Sequence, residues 1–111
     1  MQPNRRRGEI VAMLDGREHR LRLTLGALAE LEAAFAAQDL GALVERFGSG
    51  RLSAGDIARV IGAGLRGAGA TASDTEVLAM HHEDGVAGFA AIVAELLTAT
   101  FGGGPEQPQN S

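Results

Sequence analysis

The sequence predicts an α+β fold: an N-terminal β-hairpin followed by four or five short α-helices, in one mostly helical domain. Three observations predict it. Residues 9–23 hold two stretches of alternating polarity around Asp15-Gly16, and Asp-Gly is a preferred pair for a type I′ turn. From Thr24 onward, apolar residues recur at +3 and +4 spacing between capping residues and glycines. The length of 111 residues suits a single domain with one modest core.

The hairpin comes first. Glu9 to Leu14 and Arg17 to Leu23 flank the turn, with Leu21 and Leu23 on one side of the second strand and Arg20 and Arg22 on the other. A two-residue loop pairs Ile10 with Leu21 inside and Glu9 with Arg22 outside, setting opposite charges together on the wet face. A three-residue loop with Gly16 in the left-handed position would shift this register by one.

The helices follow at about 25–37, 40–47, 54–66, 74–82 and 86–100. Thr24 caps the first, whose apolar stripe is Leu28, Leu31 and Phe35. Asp39 caps the second, with Leu40, Leu43, Val44 and Phe47, and Gly48 stops it. Ser53 and Asp56 have capping-box spacing and open a helix with Ile57, Val60, Ile61 and Leu65 on one face. Ser73-Asp74-Thr75-Glu76 is a full capping box before Val77, Leu78 and Met80. The last helix points Val86, Phe89, Ala90, Val93, Leu96 and Leu97 inward. The domain is expected over 8–102, between a disordered basic leader at 1–7 and a disordered polar tail at 103–111.

Composition narrows the function. There is no Cys, which removes disulfides, thiol catalysis and thiolate metal sites. No Trp or Tyr is present and only four Phe, too few for a base-stacking platform. All ten basic residues are Arg, beside sixteen Gly, the signature of a GC-rich genome. The net charge of −4 divides unevenly: six Arg against three acids in residues 1–25, four Arg against eleven acids beyond. A short basic footprint on an acidic body argues against nucleic acid. Its plain meaning is solvation, and its functional one is a surface complementary to another copy or to a charged partner. No apolar h-region follows Arg5-Arg6-Arg7, and the most apolar stretch, Val86 to Phe101, is too short to span a bilayer. The expectation is a cytoplasmic protein with no membrane contact.

Gly62-Ala63-Gly64-Leu65-Arg66-Gly67 matches the G-x-G-x-x-G dinucleotide fingerprint letter for letter. That fingerprint works where a strand turns into a helix whose N-terminus receives the pyrophosphate. Here the preceding segment opens with a helix cap and no amphipathic helix follows, so close packing of small residues is the expected role. His81 and His82 are adjacent, project about 100° apart on a helix, and cannot form the i, i+4 clasp of a zinc site. Ser53 and Ser73 serve as caps, and no G-x-S-x-G elbow exists. No catalytic, cofactor-binding or metal-binding residue is therefore assigned, no small-molecule substrate is expected, and the chain reads as a non-enzyme.

Arg7-Gly8-Glu9-Ile10-Val11, Leu14-Asp15-Gly16-Arg17 and the run Leu21 to Glu32 resemble the opening of the gene transfer agent tail assembly protein family. These proteins come from phage-derived clusters of α-proteobacteria and are grouped with phage tail assembly chaperones. Gly50-Arg51-Leu52-Ser53, the Gly62–Gly67 run and the Leu96–Phe101 end extend the resemblance over residues 7–102. It implies a chaperone that binds the tape measure protein, recruits tail tube subunits and is absent from the mature particle. It transfers no catalytic residue. A structural tail tube component is the alternative, and a small nucleotide-binding protein or enzyme a weaker one; self-association is a further partnership to expect. Candidate partner-binding residues are Arg20 and Arg22 on the wet face of the hairpin, and Val93 and Leu97 on the last helix.

Overall fold

Asp15 and Gly16 both take positive φ, 55° and 74°, the backbone of a type I′ turn. In the computed structural model, which describes residues 8–102, strand β1 (Glu9–Leu14) pairs antiparallel with β2 (Arg17–Arg22). The register sets Ile10 opposite Leu21 and Glu9 opposite Arg22, so the two-residue loop holds. Ile10, Leu14 and Leu21 are fully enclosed, while Glu18 and Arg20 face solvent.

Five helices follow: α1 (Leu25–Ala34), α2 (Leu40–Gly48), α3 (Ala54–Gly67), α4 (Asp74–Leu78) and α5 (Gly85–Phe101). Four begin on the side-chain caps legible in the sequence. Thr24 Oγ1 accepts from the Ala27 N–H at 3.1 Å and Asp39 Oδ1 from the Ala42 N–H at 2.8 Å. Ser53 with Asp56, and Ser73 with Glu76, close reciprocal capping boxes. Each satisfies N–H groups that have no partner inside the helix. Gly102, at φ 88°, ends α5 in the left-handed conformation.

α3 is the centre of the domain. It packs on β2, α1, α4 and α5, and seven of its residues from Ala58 to Leu65 are buried. α5 lies against β1, β2 and α3, and Leu43 and Phe47 of α2 join the same core. No buried residue is polar or charged among those described. The expected hairpin-plus-helices architecture is the observed one. The leader at 1–7 and the tail at 103–111 lie outside the described residues.

Four expectations need correction. α1 ends at Ala34 instead of about 37, because Ala36 takes a left-handed backbone, φ 54°, and turns the chain away. α4 ends at Leu78 instead of 82, because the backbone of His81 is engaged elsewhere: its N–H donates to Asp15 Oδ1 at 2.8 Å, and its carbonyl accepts from the Asp15 N–H at 2.9 Å. The tip of the hairpin thus claims the groups that a longer helix would use. Val86, expected inward, is 74% exposed, since the shortened α4 does not reach over the first turn of α5; Ala90, also expected inward, is exposed, and Ile92 takes a core position instead. Phe35 is half-buried beyond the end of α1, stacked edge-on against Phe47 with a centroid distance of 5.5 Å, under the Arg46 guanidinium. Leu28 and Leu31, 7% and 1% exposed, are the buried residues of that stripe.

Candidate interaction surfaces

The surface is assembled by the same packing that makes the core. Gly62, Gly64 and Gly67 lie wholly within α3, with no strand-to-helix turn at the motif. A Cβ on Gly64 would lie 2.7 Å from Leu96 Cδ2 and 3.2 Å from Leu21 Cβ. One on Gly62 would run into the Asp74 carboxylate, and one on Gly67 into the backbone carbonyl of Arg22. All three glycines serve close approach, the role expected from their helical context.

Arg66, between two of these glycines, ties three elements together. Its Nη1 donates to the Ala72 carbonyl at 2.9 Å and to Asp74 Oδ1 at 3.0 Å, and its Nη2 to the Glu30 carboxylate. The hydrogen bond to Glu30 raises its pKa most, against desolvation, and Asp74 adds to the rise. The side chain is a permanent cation, and its work here is structural.

Two grooves remain. One, of ≈ 170 Å³, is apolar and lies between α3, α4 and the start of α5, lined by Ile57, Val77, Leu78, Met80, Val86 and Phe89. Leu78 is 60% exposed and forms its rim with Val86. The other, of ≈ 730 Å³, runs between β1 and α5 from Val11 and Met13 to Ala87, Ala91 and Glu95. His81, His82, Glu83 and Asp84 close its end near the hairpin tip. There His82 is half-buried, with Nδ1 2.9 Å from the Asp84 N–H and its ring against Phe89, over Gly88.

The four candidate partner residues do not share a surface. Arg20 is exposed on the hairpin. Arg22 is half-buried, and its Nε is enclosed without a hydrogen-bond partner. Leu97 is half-buried against the core, and Val93 is 2% exposed, inside the core and beyond a partner's reach in this conformation. The accessible large apolar residues are Met13, Leu25, Leu40, Val44, Leu78 and Val86, and none of them was singled out as a contact by sequence. Leu78 and Val86 sit in helical runs whose spacing equals that of core positions, so periodicity carries no signal of their exposure, whereas Met13 alternates with buried Ala12 and Leu14 and faces outward by strand parity.

Among the described residues, no helix is long and apolar enough to cross a membrane, and no group of three or more His, Asp or Glu is placed to hold a metal ion. No curated protein and no solved structure shows significant similarity to the chain. A family model does match it, over residues 7–103 and so over every element described above. Its description is phage tail tube protein, GTA-gp10, and the chain belongs to this phage tail and gene transfer agent family.

Proposed function

We propose that the chain is a structural component of the tail tube of a phage-like gene transfer particle, acting by protein–protein contact and not by catalysis. One observation carries this reading: the family match bears a tail tube name and runs across the whole hairpin-and-helix domain. Exposed Leu78 and Val86 border one apolar groove, the kind of surface that a subunit covers on assembly. The partners are then further copies of the chain and neighbouring tail proteins. Quantitative mass spectrometry of purified particles tests it. Copy numbers in the range of a tube protein support the reading, and absence from the particle overturns it.

A second reading has its own support. The hairpin is the only sheet among the described residues, which is little strand for a tube wall, and the rest of the domain is helical. A tail assembly chaperone needs only a small module with an apolar face and modest affinity at each of many sites. Under this reading the chain is missing from finished particles, co-purifies in several copies with the tape measure protein and raises its solubility. In both readings assembly takes place in the cytoplasm of the producing cell.

A further inference from the structure

Among the described residues, β1 has an open edge. The register puts Ile10, Ala12 and Leu14 in the hydrogen-bonded pairs with β2, so the N–H and C=O groups of Glu9, Val11 and Met13 turn away from the hairpin. No other described backbone group bonds to those three. Exposed edges are commonly blunted by a charge, a proline or a bulge. Here Glu9 supplies a charge at the far end, while Val11 and the 52% exposed Met13 supply none of these. The edge faces the larger groove, whose far wall is Ala87, Gly88 and Ala91 of α5. Those side chains are small enough to leave room for another strand.

The outer edge of β2 differs. At Arg22 it is closed, because Gly67 lies against the carbonyl. Towards the tip, Glu18 and Arg20 remain exposed. Charge separates the edges too. The described lining of the groove beside β1 includes Glu83 and Asp84 and no Arg, whereas the open half of β2 carries Arg17 and Arg20 beside Glu18.

We infer that β2 of a second copy docks antiparallel along β1, head to tail, with Arg20 of one copy opposite Val11 of the next. A two-fold β1–β1 pairing would bring both acidic rims together, a like-charge arrangement that costs affinity. Head-to-tail contact leaves one β1 edge and one β2 edge free after each addition, so it propagates into a ring or filament. Only the tip half of β2 is open, so each contact is short and weak, and strength comes from repetition. The geometry of the edge stands by itself, while its use in a particle rests on the tail tube reading.

The chain contains no Cys, so single engineered thiols report without background. The full chain is made as two separate variants, Val11→Cys and Arg20→Cys, mixed and mildly oxidised. The expected result is a disulfide-linked dimer in the mixture that neither variant forms alone. Self-linking of Val11→Cys as efficient as linking in the mixture overturns the head-to-tail arrangement. No cross-link at any concentration overturns the docking altogether. Val11→Pro is the companion variant, since the Val11 N–H lies outside the hairpin ladder. It should keep the wild-type circular dichroism spectrum and melting temperature while losing association in sedimentation; retained association counts against the edge. If particles contain the chain at tube copy number but the cross-link fails, the edge is wrong and the tube reading stands. If the cross-link forms but particles lack the chain, the pairing stands and the tube reading falls.

Discussion

Gly67 illustrates how one missing side chain sets a residue's worth. Its Cα sits against the Arg22 carbonyl, which belongs to a paired strand and has no rotamer to move away. Gly67→Ala should therefore destabilise the domain by about 1–3 kcal/mol, because α3 or β2 must shift. Gly48 ends α2 with nothing within 4 Å of the added Cβ, so Gly48→Ala should be neutral or slightly stabilising. Urea denaturation of the pair checks this, and equal losses would refute the packing argument. Burial separates Leu31 from Phe35 in the same way. Leu31→Ala empties an enclosed site and should cost about 2–5 kcal/mol. Phe35→Ala removes a half-buried ring resting on Phe47 and Arg46, so its cost should fall below the ~3 kcal/mol at which full burial begins. The order of the two melting temperatures is the measurement.

Among the elements, the hairpin and α4 depend on each other. The two hydrogen bonds between Asp15 and His81 fasten the turn to the segment between α4 and α5. Asp15 also tolerates the left-handed backbone of the turn better than most residues. Asp15→Ala loses the side-chain acceptor and adds strain, together about 1–2 kcal/mol. The selective sign is local: amide exchange at His81 should accelerate more than at Ile61 in the core. Uniform acceleration would mean that the tip and α4 do not open as a unit. The caps behave differently. Thr24, Asp39, Ser53 and Ser73 act on N–H groups three residues ahead, so four helix starts could be read before any packing was known. Helix ends were harder. Ala36, at φ 54°, turns the chain after α1 where no glycine announces a stop.

For the whole molecule, the Gly-rich run in α3 raises the question of a ligand. With all three glycines used for contact and the motif inside a helix, titration with dinucleotides or ATP should leave the melting temperature unchanged. A saturable rise would restore a nucleotide-binding role. Charge reversal distinguishes the two hairpin arginines at the same scale. Arg20→Glu should weaken self-association at low salt while leaving stability near that of the wild type, since Arg20 is exposed. Arg22→Glu should lower stability as well, because part of its side chain is enclosed. Sedimentation at two salt concentrations, beside thermal melts, reads both effects.

What the sequence determined by itself is local: the Asp15-Gly16 turn, the Ile10–Leu21 register it favours, the four caps and the order of hairpin and helices. Each follows from groups no more than a few residues apart along the chain or facing one another across a two-residue loop. The tertiary structure decided the rest. Val86 and Val93 both belong to the apolar side of α5, yet one is exposed and the other buried, because coverage depends on where α4 stops. α4 stops where it does because His81 is bonded to Asp15, 66 residues away in the chain. The open edge of β1 likewise exists only because α5 meets it with small side chains and leaves a groove. Periodicity reports which face of an element is apolar, and only the lengths and placement of its neighbours decide how much of that face is covered.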